Sequence, residues 1–407
     1  MKNKENIKSS LNWNAFLSYF IIIDILFFPY FKYFVIPYSL VIVFLWTLRN
    51  YSKLKVGLDF KLFIFISFFV LLSTFLSYFY TPHFINGYDI WGDNLKRPIQ
   101  LLSSFLYYFY FTTKLKCVFI PIKNILLVFI LFVDALAIIT IFDVAMYFDI
   151  KNLFSVRDPF VDYYYATTND YFFRYSYLWV DPNNAAYILV SVCIFLVFNE
   201  KLNSLTRLFI FLSIGLILIT CMSTGAFLAM AIVMLFSLFS AMRNIKFNIT
   251  FRKKDLFILL FSVFIIFILL LNINSLLNFD MFNYSLNRVT ENNPESRESV
   301  YDDLLKTELI KNVVIGDGYT LTKDGQIRRP HSDHFRIIYG YGFLAYFSLL
   351  LLLFRKRKGS KFSKHIFIIP AFICFSINSI VDEQKIFIIY LILLAYLESS
   401  NIKESKI

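Results

Sequence analysis

Apolar runs recur along this chain at a length that leaves few folds open to it. About twelve of them can span the roughly 30 Å hydrocarbon core of a bilayer. They lie near 13–31, 33–48, 60–80, 98–113, 118–147, 183–199, 206–222, 224–242, 256–273, 335–354, 366–380 and 386–398. The second, the sixth and the last two are short, so a tilted, re-entrant or merged segment alters the count by one or two. Mean hydropathy is +0.63 and 58% of the 407 residues are hydrophobic, against about 45–50% in a soluble domain. No internal repeat and no Gly/Ser/Pro linker divides the sequence. The expectation is an all-α, polytopic integral membrane protein forming a single domain over 1–407.

The loops between the runs set an orientation. With the N-terminus inside, 25 of the 40 Lys and Arg residues fall in cytoplasmic segments, as the positive-inside rule requires. Both termini then lie in the cytoplasm. The same rule accounts for most of the net charge of +12, and no basic stripe with interleaved aromatics points to nucleic acid, which is excluded as a partner. The 51 Phe and 27 Tyr beside few Gly are what an A+T-rich genome encodes and carry no functional argument alone. Cys117, Cys193, Cys221 and Cys374 stand singly in or beside apolar runs and read as small hydrophobes, not as disulfides or a zinc site. Lys2, Lys4 and Lys8 precede an apolar run without a small-residue cleavage site, as in an uncleaved first helix.

Three loops dominate the outer face. One, near 81–97, holds His83, Asp89, Trp91, Asp93, Lys96 and Arg97. The second, 148–182, is rich in aromatics that stack on sugar rings or populate a membrane-interface belt. The third, 274–334, is the longest, and a loop of that length is functional or disordered. Its internal pattern points to folding. A helix-like segment opens at Ser296-Arg297-Glu298-Ser299, and Val313 to Ile315 predict a buried edge before the tight turn Gly316-Asp317-Gly318.

That loop closes on Arg328-Arg329-Pro330-His331-Ser332-Asp333-His334-Phe335-Arg336, where charge meets an apolar run. Charge at a membrane boundary is costly, so a cluster of this density is a functional candidate. Snorkelling arginines explain the cations but not the His and Asp beside them. A helix beginning near Pro330 puts His331 and His334 one turn apart on one face, with Phe335 and Ile338 continuing it. An imidazole there can take a proton from a sugar hydroxyl, and Asp333 or the second His can orient it. Metal binding by His331, His334 and Asp333 lacks a further ligand on a nearby element, and neither metal nor cofactor is expected. The outer arginines Arg174, Arg297, Arg328, Arg329 and Arg336 suit the bidentate recognition of a diphosphate, with salt bridges to the loop's own carboxylates as the alternative. Asp24, Asp134 and Asp143 sit in apolar runs with no evident cationic partner, as in a proton-coupled transporter or a bundle burying a hydrogen-bonded carboxyl.

Several of these motifs together resemble the O-antigen ligase/polymerase superfamily of bacterial envelope proteins. Arg297 stands at the start of a helix, Gly316-Asp317-Gly318 makes the turn, and His331-Ser332 precedes the next membrane helix, with Phe335 and Gly342 at later offsets. Ser332 stands where the family has Asn. Upstream, Arg174 with Asp181-Pro182-Asn183-Asn184-Ala185 resembles the family's Arg…Pro-Asn segment, and Ser223-Thr224-Gly225-Ala226 its Ser-Arg-Gly-Ala, with Thr224 in place of Arg. The resemblance covers about 170–350. It implies metal-independent glycosyl transfer between undecaprenyl-diphosphate-linked oligosaccharides at the periplasmic face of the bacterial inner membrane. It also assigns the arginines to the diphosphate and His331 to the base, and implies work alongside a flippase and a chain-length regulator. A repeat-unit polymerase of O-antigen or capsule is the reading it favours, the ligase that transfers to lipid A-core its neighbour, and a lipid-linked oligosaccharide flippase the rival from another class.

Overall fold

The computed structural model describes residues 2–31, 35–115, 120–154, 174–179, 181–221, 223–242, 313–323, 326–328, 332–355, 366–369, 372–373, 381 and 383–399. Helices α1 (Lys2–Phe27), α2 (Leu40–Leu54) and α3 (Leu58–Tyr80) are followed by a hairpin of β1 (Phe84–Ile85) and β2 (Tyr88–Asp89). Then come α4 (Ile90–Lys114), α5 (Lys123–Phe142), α6 (Val144–Phe154), α7 (Pro182–Asn199), α8 (Ser204–Cys221) and α9 (Thr224–Met242). A second hairpin, β3 (Leu321–Lys323) with β4 (Gln326–Arg328), precedes α10 (Asp333–Phe354) and α11 (Gln384–Ser399).

This is an all-α membrane protein. Among the described residues, α3, α7, α8, α10 and the Lys123–Thr140 part of α5 are long and apolar enough to cross a bilayer. Ala15–Phe27 of α1 and Gly225–Leu235 of α9 are shorter apolar stretches. The run expected at 118–147 is not one helix. It breaks at Asp143, whose side chain accepts from Met146 N (3.0 Å) and starts α6 afresh. The run expected at 33–48 becomes helical only from Leu40, past Pro37, which disfavours helix in the residue before it. The 256–273 run lies outside the described residues.

Local chemistry sets the ends that matter for the site. Asn86 and Gly87 both take positive φ (50° and 79°), the geometry of a two-residue hairpin turn, and join β1 to β2. Asp89 then caps α4, its carboxylate accepting from Gly92 N at 2.8 Å. Asp181 caps α7 through Asn183 N and Asn184 N, with Pro182 at the first helical position.

Helix α10 packs on α3 and α11 on α4. Helices α7 and α11 are buried almost all round, the mark of helices at the centre of a bundle. By contrast α2 and α3 expose Val41, Leu45 and Leu48, and Phe68, Leu71, Phe75 and Phe79, as lipid-facing helices do. Contacts sort the helix termini into two ends. At one, Ser39 N donates to Asp24 Oδ2 (2.7 Å), Tyr175 N to Thr220 O (3.0 Å) and Val381 N to Asp333 Oδ2 (3.2 Å). At the other, Arg355 meets Asp59 (2.9 Å), Lys123 Nζ donates to Lys201 O (2.9 Å) and Tyr108 to Glu398 (2.6 Å). Every feature of the candidate site lies at the first end.

Candidate functional site

Two pairs of glycines build the site's backbone. Helix α10 is interrupted at Gly342 (φ 86°, ψ 161°), and the segment 313–320 is fitted against the break. Phe343 N donates to Val313 O (2.6 Å), Asp317 N to Tyr339 O (2.9 Å) and Gly318 N to Gly340 O (3.0 Å), so the groups released by the break are re-paired. A Cβ on Gly316 would stand 2.5 Å from the Gly340 carbonyl, and one on Gly342 2.1 Å from Val314 O. Both residues also hold positive φ, so only glycine fits. The three residues expected to form a buried edge, Val313 to Ile315, instead make a turn with Val314 57% exposed, because their backbone serves the α10 break.

Side chains of α3 and α4 clamp this segment. Ser73 Oγ bonds Gly340 O and accepts from Gly318 N. Asn94 Oδ1 accepts from Thr320 N (2.7 Å), and Asp93 Oδ2 from Thr320 Oγ1 (2.8 Å). The other Asp93 oxygen holds Arg97 Nε at 3.2 Å, one helical turn on, and Arg97 Nη1 donates to Gln100 Oε1 (3.2 Å). Arg97 lies over the Tyr319 ring, 5.6 Å from its centroid. Arg336 of α10 lies over the same ring at 5.3 Å and donates to the Tyr319 hydroxyl at 2.6 Å. Burial, with the like charge of Arg97, lowers the Lys96 ammonium below the ordinary lysine value.

The sequence-predicted residues separate into groups. Arg336 is buried in the cluster just described. Arg328 sits on β4, its Cα opposite Leu321. Helix α10 begins at Asp333, not near Pro330, with Ser332 in extended backbone before it. His334 is in the first turn of that helix, and the expected pairing with His331 lies outside the described residues. His334 Nδ1 meets the Tyr346 hydroxyl at 2.9 Å, and its ring packs against Phe372. Asp333 is buried and ties down Val381 N. His331, Arg329 and Arg297 lie outside the described residues.

Arg174 is part of a second cluster at the same end. Its Nε donates to Cys221 O (2.9 Å) and its Nη2 to Asn183 Oδ1 (2.6 Å), which joins the 174–179 segment to the ends of α7 and α8. Beside it, Lys151 of α6 is buried and donates to Ser176 Oγ (2.7 Å).

Sequence reasoning passed over two groups. One is Asp93 with Arg97, which the sequence shows only as residues of the first outer loop, although their i,i+4 spacing signals a pair on one helix. The other is Lys385 of α11, 4% exposed, which donates to the main-chain carbonyls of Asp24 (3.0 Å) and Phe28 and lies over the Tyr30 ring, while the Asp24 carboxylate accepts from Ser39 N. Lys385 also lines a small cleft whose walls include Leu26, Phe154 and Trp179. A lone Lys at the start of the last apolar run was the available signal. Among the described residues, no three metal-ligating side chains converge. Compared with known protein families, with curated proteins and with solved structures, the chain matches none.

Proposed function

We propose that the chain is a glycosyltransferase of the bacterial inner membrane that polymerises undecaprenyl-diphosphate-linked repeat units into O-antigen or capsular polysaccharide. In this reading about twelve spans place both termini in the cytoplasm and the clustered end in the periplasm. The observation that carries it is the pair Arg97 and Arg336 over Tyr319, fixed on helices beside the chain that leads to His331. The reaction releases a lipid diphosphate, so it needs fixed cations where that charge develops and a base for the attacking hydroxyl. His331 would take the hydroxyl proton as the sugar oxygen bonds the anomeric carbon and the carbon–diphosphate bond breaks, inverting that centre. Ligation to lipid A-core would use the same chemistry.

Envelope glycans of a deletion strain, resolved on a gel, test the reading. Single capped repeats mark a lost polymerase, and uncapped core with accumulated lipid-linked polymer a lost ligase. Unchanged glycans remove the proposal. His331→Ala should reproduce the deletion at normal protein levels, and normal chain lengths in it would remove the base assignment. One observation favours a transporter instead, since Lys385 and Asp24 are ionisable residues buried close together at one end of the bundle, of the kind carriers use. Loss of a flippase would leave complete repeat units stranded on the inner leaflet.

A further inference from the structure

We infer that Asp134 is a proton-binding site inside the membrane, loaded and emptied from the clustered end through Tyr177 and Thr220. The inference is independent of the function proposed above. Asp134 lies within the Lys123–Thr140 span of α5, about 9 Å short of its Thr140 end. The residue is 8% exposed. One carboxylate oxygen, Oδ2, accepts from Ser213 Oγ of α8 at 2.5 Å. The other, Oδ1, is fully enclosed and has no hydrogen-bond donor. A bare carboxylate is costly to bury, and one serine hydroxyl supplies a hydrogen bond but no counter-charge. Among the described residues no cation pairs with Asp134. A proton on the carboxyl group removes the charge outright.

The route follows one face of α8. Thr220 stands two turns after Ser213 on the same buried face, about 10 Å nearer the helix end at Cys221. Tyr177 is fully buried beside them. Its hydroxyl bonds Thr220 Oγ1, and it lies within electrostatic reach of the Asp134 carboxylate. Beyond it, Tyr175 N donates to Thr220 O (3.0 Å) and Ser176 Oγ accepts from Lys151 (2.7 Å) at the clustered end. A hydroxyl both donates and accepts, so Tyr177 and Thr220 can each release one proton as they receive another between water and the carboxyl. Of the elements packed on α5, α7 places Cys193 within reach of Asp134, while Tyr147 and Cys221 act on Tyr177. The charged groups of these elements are engaged elsewhere. Asp24 of α1 accepts from Ser39 N, Lys151 of α6 holds Ser176, and Arg174 holds Cys221 O and Asn183. Asp143 and Asp149 are exposed, and Arg207 and Glu200 lie at the opposite ends of α8 and α7.

The test uses the full chain in phosphatidylcholine vesicles. Dicyclohexylcarbodiimide, an apolar reagent that modifies protonated carboxyl groups in lipid surroundings, should label Asp134 in mildly acidic buffer, read by peptide mass spectrometry. The label should be lost in alkaline buffer, and sodium ions should not protect. That arm uses the wild type and depends on no variant folding. Absent labelling, or labelling indifferent to pH, overturns the proton site. Protection by sodium also overturns it, in favour of a metal cation. Infrared spectra then follow the proton itself, through the carboxylic-acid carbonyl band that Asp134→Asn removes. On transfer to deuterium oxide that band should shift. Tyr177→Phe, which keeps the ring, should slow the shift about tenfold, the worth of one hydrogen bond. An unshifted band would make Asp134 a sealed structural carboxyl and overturn the inference. Equal rates in wild type and Tyr177→Phe overturn the route. All these outcomes are independent of the glycan gel.

Discussion

Arg355 reaches Asp59 across 2.9 Å with the two side chains 31% and 27% exposed, and at the same end Lys123 holds the Lys201 carbonyl at an exposed position. At the other end of the same bundle Arg336 is 5% exposed, Lys385 4% and Asp333 1%, each held by named partners on other segments. The first arrangement is that of residues that anchor helix ends, where water screens the pair and little energy depends on it. The second removes charge from water, which is costly unless geometry compensates. Among the described residues Arg207 at the solvated end is equally buried, at 5%, but buried charge is concentrated at the clustered end, where Asp24, Lys151, Asp333, Arg336 and Lys385 lie. The glycine-lined break in α10 falls at that end too, and irregular backbone is tolerated near a membrane only where protein or water re-pairs it.

The largest test of this contrast is Gly342→Ala. Its Cβ would overlap Val314 O at a positive-φ position, so we expect a loss of about 2–4 kcal/mol, read by thermal melting of the detergent-purified protein. Melting within a degree of the wild type would mean the break is not formed as described. Lys385→Met removes the buried donor to the main-chain carbonyls of Asp24 and Phe28 and should cost about 2–3 kcal/mol in the same melting assay. A loss near zero would mean that those carbonyls do not depend on the ammonium. Asn94→Ala removes the acceptor for Thr320 N and should cost about 1–2 kcal/mol, less than Lys385→Met. Smallest of all, Arg355→Ala at the solvated end should change stability by under about 1 kcal/mol. A loss there as large as that of Lys385→Met would erase the distinction between the ends.

Much of the helical plan was legible because apolar runs of bilayer length have few other uses. Departures came where one polar or cyclic residue interrupts a run, as at Asp143 and Pro37. At the site, the Gly-x-Gly turn and Gly342 could be picked out as special glycines. That they interlock could not, because the contact is backbone on backbone and leaves no side-chain signature. Arg336 and Arg174 stood out as cations at run boundaries. Lys385 and Asp24 each stood out less, and 361 positions separate them, so only packing of α1 against α11 reveals that the Lys385 ammonium reaches the Asp24 carbonyl. The start of α10 falls at Asp333, three residues after Pro330, because Ser332 is still extended, and His334 in its first turn is set against Tyr346.

The account depends above all on the clustered end facing out of the cell. In a chain whose four cysteines are replaced, Tyr88→Cys in the first hairpin and Val56→Cys between α2 and α3 report on the two ends separately, both being surface positions. A membrane-impermeant maleimide applied to intact cells should label Tyr88→Cys at once and Val56→Cys only after the inner membrane is opened. The reverse order would put the arginines and the broken helix in the cytoplasm and contradict the account.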